Sequence, residues 1–136
     1  MTTTSMELRN VEMARKGYEA FNEARIEDAM DTIADDIVWH VGGDNPLSGE
    51  YKGKQAVLEF FGKFGQLTEG TYEFEIHDIL ASEDHTVVIG TSTSTRHGRT
   101  HTSRSVDIIH PNALGQAKEF WRFPEDQAAE DEFFKE

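Results

Sequence analysis

A chain of 136 residues with 26 acidic and 13 basic side chains reads as one domain with a net charge of −13. That surface repels nucleic acid and anionic membranes, so neither is expected as a partner. The absence of cysteine excludes disulfides and thiolate metal sites. Nothing near the N-terminus resembles an apolar leader and no apolar run approaches membrane length, so a cytoplasmic location is the default expectation.

A first helix is predicted from about Ser5, capped by Thr4 or Ser5. Its core stripe is Leu8, Val11, Ala14, Tyr18 and Phe21, at spacings of three and four. A polar break at Asn22–Arg25 precedes a shorter helix carrying Ile26, Ala29, Met30 and Ile33. Ile37–Val41 is β-branched and aromatic, and reads as a strand that breaks into Gly42-Gly43-Asp44-Asn45-Pro46. A third helix follows over about Lys54–Phe64, with Val57, Phe60, Phe61 and Phe64 on its apolar side and Gly65 as its stop.

From Thr71 the apolar period falls from 3.6 to 2. Tyr72, Phe74 and Ile76 alternate with Glu73, Glu75 and His77. Thr86–Thr95, His101–His110 and Ala117–Phe123 give three more strands, joined by short turns, with Gly98 at one hairpin tip. The acidic tail from Pro124 is expected to be a flexible or peripheral end, as are residues 1–6, although Phe133-Phe134 offers an anchor. Helices segregated to one face of a curved, antiparallel or mixed sheet give an α+β cone. Three helices do not cover such a face, so a pocket is expected between the layers.

His40 is the first candidate for chemistry. Histidine is the residue type whose unperturbed pKa sits near neutrality, and this one stands in an apolar strand, where it needs a partner or a cavity. Asp107 shares a strand face with His101, Ser103, Ser105 and Ile109. It is either a solvated or subunit-facing group or a pocket carboxyl that orients His40. Tyr18, Trp39, Phe61, Phe64, Phe120, Trp121 and Arg122 are the candidates for lining a pocket. Of the six histidines, His97 and His101 are four apart but flank a hairpin and do not share a helix, so no metal is expected.

Four stretches carry a family resemblance. They are Tyr18-Glu19-Ala20-Phe21-Asn22, Ala34 through His40, Ser48-Gly49 with Tyr51 through Val57, and Glu119-Phe120-Trp121. In their order and spacing the chain resembles the nuclear-transport-factor-2-like superfamily, in its SnoaL-like branch, over about Val11–Phe123. The resemblance implies a cystatin-like cone of three N-terminal helices on a curved sheet, and a fold that serves isomerases, cyclases, hydrolases and non-catalytic modules alike. Matched to the related ketosteroid isomerase, the general-base position falls on His40. The oxyanion carboxyl falls on Asp107 and the oxyanion tyrosine on Gly17, one residue before Tyr18. The aspartate of polyketide cyclases of this branch falls near Trp121 or Arg122. The implied activity is cofactor-independent acid–base chemistry on a small hydrophobic carbonyl or epoxide compound, with His40 and Asp107 catalytic. A non-catalytic ligand-binding or dimerisation module is the alternative. A homodimer through the convex face of the sheet is expected in either case.

Overall fold

The computed structural model describes residues 5–135; the Thr4 cap and most of the N-terminal end lie outside it. The element order is α1 (Ser5–Asn22), α2 (Ile26–Met30), β1 (Ile33–Val41), β2 (Gly49–Lys52), α3 (Lys54–Leu67), β3 (Glu73–Ala81), β4 (Thr86–Arg96), β5 (Arg99–Pro111), β6 (Ala117–Pro124) and α4 (Gln127–Phe134). The six strands form one curved sheet in the order β2-β1-β6-β5-β4-β3. β3 through β6 are linked by antiparallel hairpins, and β6 then lies parallel to β1. The architecture is the expected α+β cone, built on a mixed sheet.

Several elements depart from expectation for local reasons. The second helix stops at Met30 because the chain is already paired two residues later, where the Ala117 amide donates to the Thr32 carbonyl. β1 therefore opens at Ile33, and a register irregularity before Val38 brings its second half back into line with β6. α3 runs past Gly65 to Leu67, and the Thr68 hydroxyl, 2.8 Å from the Phe64 carbonyl, satisfies one of its terminal acceptors. β2 forms on the edge of β1 where no strand was expected. Leu8, expected in the α1 stripe, is 55% exposed; Ala14 of that stripe is buried, and Asn10 and Ala20 are buried with it.

The acidic tail forms a helix. Asp126 caps α4 by accepting from the Ala129 amide, and the buried Arg96 donates to the carbonyls of Phe133 and Lys135 at the other end. Phe133 and Phe134 are buried, and Phe134 packs against Phe64 of α3. The core is continuous from Ile33, Ile37 and Val57 through Phe74 and Val88 to Phe120 and these two rings. Among the described residues no helix is long and apolar enough to cross a membrane.

Candidate functional site

Strand alternation decides which side chains meet inside the cone. Trp39 opposes Phe120 across β1 and β6, and Asp107 opposes Arg122 across β5 and β6. These four, with Ile109, Val88 and Phe74, point to the concave face. Gly90 admits the Phe74 ring there, since a Cβ at that position would stand 2.5 Å from it. The alternate residues His40, Trp121, Ile108, Val106 and Phe123 point to the convex face.

Between the concave face and the helices lies a cavity of about 150 Å³. Its walls are mostly aromatic. Trp39 stacks on Phe120 at 3.8 Å and meets Phe61 edge-on at 5.3 Å; Phe60, Phe64 and Phe21 continue the lining. Such walls suit a flat apolar molecule.

Four side chains form a polar cluster against these walls. Arg122 donates twice to Asp107, Nε to Oδ1 and Nη2 to Oδ2, both at 2.7 Å. The Tyr18 hydroxyl donates to Asp107 Oδ2 as well. Arg122 Nη1 donates to the Tyr72 hydroxyl oxygen at 2.7 Å, and its guanidinium lies 4.8 Å from the centre of the Phe74 ring. Asp107 is wholly buried, whereas Arg122 keeps 23% of its side chain accessible. Burial pushes both phenols up, Tyr18 farthest with help from the Asp107 charge, so both stay protonated donors. Burial opposes the Arg122 charge, but Asp107 outweighs it and holds the guanidinium well above its ordinary range. Because Tyr72 accepts from Arg122, its own proton is left to give, and no described side chain accepts it.

α4 and the β1–β2 loop border the cavity together. Asn45 Nδ2 and Gln127 Nε2 both donate to Asp131 Oδ1, at 2.8 and 3.0 Å. Gly43, at φ +82°, lets the loop come this close; a Cβ there would stand 2.2 Å from both Asp131 and Gln127. Asn45, Gln127 and Glu130 line the cavity, and Glu130 is its one carboxylate among the described lining residues.

The expected pairing of His40 with Asp107 is not made. β1 carries His40 at the cavity wall, but its ring belongs to the convex side. Nε2 lies 2.7 Å from Glu119, Nδ1 lies 3.1 Å from Glu50, and the ring stacks on Trp121 at 4.8 Å. Trp121 is likewise on the convex side, away from the cavity it was expected to line. Of the other expected residues, Tyr18 and Arg122 meet Asp107, and Trp39, Phe61, Phe64 and Phe120 line the aromatic walls. Tyr18 reaches the carboxyl even though the family position falls on Gly17. Tyr72 and Glu130 were not singled out beforehand. Tyr72 had a signal, since it shares its alternation with Phe74; Glu130 had none. Among the described residues no three His, Cys, Asp or Glu side chains cluster as a metal site.

The profile of the SnoaL-like domain matches residues 14–130. A comparison with curated proteins gives no match. Among solved structures, Bal32a from a soil-derived mobile gene cassette is 26% identical, with a TM-score of 0.91 over 96% of this chain and 100% of that one. A Xanthomonas campestris protein of unknown function with a cystatin-like fold is 24% identical, with a TM-score of 0.87 over 93% and 98%. A second Xanthomonas campestris protein, described as a candidate polyketide cyclase, is 14% identical, with a TM-score of 0.76 over 96% and 100%.

Proposed function

Because the chain belongs to the SnoaL-like domain family, we propose that its cavity binds a small, largely aromatic or alicyclic molecule bearing one carbonyl- or epoxide-type oxygen, and that Tyr72 holds that oxygen. The observation that carries this reading is the buried Asp107–Arg122 pair beside aromatic walls, with a tyrosine proton left unaccepted. A buried ion pair is weak evidence for a stabilising role, since apolar residues of the same volume often do as well. Here it does something an apolar pair cannot. It engages the Tyr72 oxygen as an acceptor and leaves the hydroxyl proton to give. A ligand oxygen at that point receives a preorganised hydrogen bond beside apolar walls.

His40 is not part of this reading, because its ring nitrogens face Glu50 and Glu119. One observation favours the non-catalytic alternative. Both oxygens of Asp107 are committed to Arg122 and Tyr18, so this carboxylate is not a free base. Ligand binding alone requires no free base.

Calorimetry with β-tetralone and its hydrocarbon counterpart tetralin tests the reading. The ketone is expected to bind more tightly by roughly fivefold to tenfold, the worth of one net hydrogen bond. Tyr72→Phe is expected to erase the preference while leaving the tetralin affinity unchanged. Equal affinities in the unaltered protein, or no binding of either compound, refute it.

The partner proposed for the convex face is a second copy of the chain. Leu80, Val87, Ile108 and Trp121 form one cross-strand row there, and Ile89, Val106 and Phe123 a second. Leu80 and Phe123 are each at least half exposed, and Val106 is 38% exposed. An apolar patch crossing four strands and flanked by Arg104 and His110 suits self-association about a two-fold axis.

A further inference from the structure

The binding reading leaves one side chain unexplained. Glu130 stands on α4 at the cavity, half-buried, in an acidic tail whose other described carboxylates have local partners, Glu132 pairing with Lys135. Asp126 caps the helix, Asp131 ties it to Asn45, and Glu125 pairs with the exposed Arg104. Glu130 has only a long contact from Gln127 Nε2, at 3.4 Å, and that same amide bonds better to Asp131 at 3.0 Å. Its oxygens therefore keep most of their acceptor capacity. The charged and titratable groups that face it are Asp131 on its own helix, Arg122 of β6, Asp107 of β5 and, before β3, Tyr72. None of the last three hydrogen-bonds to it.

We propose that Glu130 is a catalytic proton acceptor at this cavity, and that its substrates are carbon acids: small aryl or alicyclic ketones whose carbonyl oxygen rests on Tyr72. The proposal depends on the binding reading above and adds to it the base that Asp107 does not provide. Glu130 takes a hydrogen from the carbon next to the carbonyl as a proton. The electrons of that C–H bond become the C=C bond of an enolate. The carbonyl π pair moves onto oxygen, where the Tyr72 O–H and the spare N–H groups of Arg122 stabilise it. The neutral Glu130 carboxyl then returns the proton to the same carbon or to a conjugated one. Atoms balance, and the net change is hydrogen exchange or a double-bond shift.

Three features suit Glu130 to the task. Burial raises its proton affinity above that of an ordinary glutamate, and Arg122 only partly offsets this, which moves a carboxylate towards the range where general bases work well. Its helix is held at both ends and tied to the β1–β2 loop, so the carboxylate is carried on a fixed element. Finally, the donor, just before β3, and the acceptor, on α4, line one and the same cavity of about 150 Å³.

The experiment is exchange of the acidic hydrogens of β-tetralone in deuterium oxide, followed by proton NMR, with its affinity measured in parallel by calorimetry. The unaltered protein is expected to accelerate exchange saturably. Glu130→Gln should lower the rate about a hundredfold or more while β-tetralone still binds, and Glu130→Asp should restore part of it. The rate should rise with pH as one carboxylate titrates, and carbon-detected NMR should place that titration at Glu130, above the usual glutamate range. Exchange by Glu130→Gln at the unaltered rate overturns the proposal, and so does a Glu130 carboxyl that titrates as an ordinary surface glutamate. Binding of β-tetralone without accelerated exchange overturns the proposal and leaves the binding reading intact. Absence of binding overturns both.

Discussion

A wholly buried carboxylate is costly to separate from the guanidinium that pairs with it. Asp107 is wholly buried, and both of its oxygens are engaged by Arg122 and Tyr18. Arg122→Met leaves that charge uncompensated and is expected to cost about 3–5 kcal/mol of folding stability, read from urea unfolding. Asp107→Asn combined with Arg122→Met should cost clearly less than the two single changes summed, because the strained state of each is an orphaned partner. A cost for Arg122→Met below about 1 kcal/mol would mean that water already solvates the pair. Glu130 predicts the opposite behaviour. Burial holds its proton in the folded state to a higher pH than in the unfolded chain. Between the two midpoints the folded protein binds more protons, so Glu130 makes stability fall as pH rises from about 4, the unfolded value, through the folded midpoint, and level off beyond it. Glu130→Gln removes this slope. The variant should gain on the unaltered protein across that window in unfolding measured at successive pH values, and an unchanged difference would show a solvated carboxylate. At this scale the sequence was half legible. Asp107, Arg122 and Tyr18 could be named, but their arrangement could not. The β5 face carrying Asp107 also carries the half-buried His101 and the buried Ser103 and Ser105, and these polar groups hide the alternation that marks an inward face. His40 misled for the converse reason. Its neighbours are apolar, yet its own side of β1 meets Glu119 and Glu50, one from a strand far along the chain and one from an edge strand that sequence did not announce.

Among the elements, long and periodic ones were readable and short ones held by distant partners were not. α1, α3 and the hairpin strands follow their apolar spacing. β2 has four residues and no periodicity, and exists because β1 offers an edge to pair with. The parallel β1–β6 contact joins residues some eighty positions apart, and no local pattern encodes it. α4 is eight residues long, below the length at which a helix is stable alone, and its apolar content is confined to two alanines and two phenylalanines at its end. It persists because Phe133, Phe134 and Arg96 hold one end and Asp131 the middle. Gly43→Ala tests the second attachment. The new Cβ meets Asp131 and Gln127 at 2.2 Å, and alanine is strained at a φ of +82°. Stability should fall by about 1 kcal/mol or more, and amide hydrogen exchange should quicken in residues 127–134 and 42–48 while β4 and β5 keep their protection. Phe134→Ala, which empties a buried site against Phe64, should cost about 3 kcal/mol and release the same helix. If α4 exchanges no faster in either variant, its attachment lies elsewhere.

For the molecule as a whole, the cone has two unlike faces, and each asks for something to cover it. The concave face is closed by α1, α3 and α4 and encloses the cavity. Among the described residues the convex face has no helix, and its two apolar rows run across β3, β4, β5 and β6. A net charge of −13 opposes the approach of two copies in general, but that repulsion is long-range and weakens as salt screens it. The short-range apolar contact does not weaken in the same way. Association through the convex face should therefore tighten with added salt, whereas association through charged surfaces of opposite sign would loosen. Val106 sits in the middle of the second row, between Ile89 and Phe123. Val106→Asp places two like charges near the two-fold axis of the proposed dimer while leaving the cavity untouched, since the side chain points the other way. The unaltered protein is expected to scatter light as a dimer at micromolar concentration, more completely at high salt, and Val106→Asp as a monomer that keeps its affinity for β-tetralone. A dimer that survives Val106→Asp would move the contact off this face. A variant that loses both the dimer and the ligand would show that the cavity needs the partner to hold its shape, and the sheet that separates the two faces would then be the element through which one acts on the other.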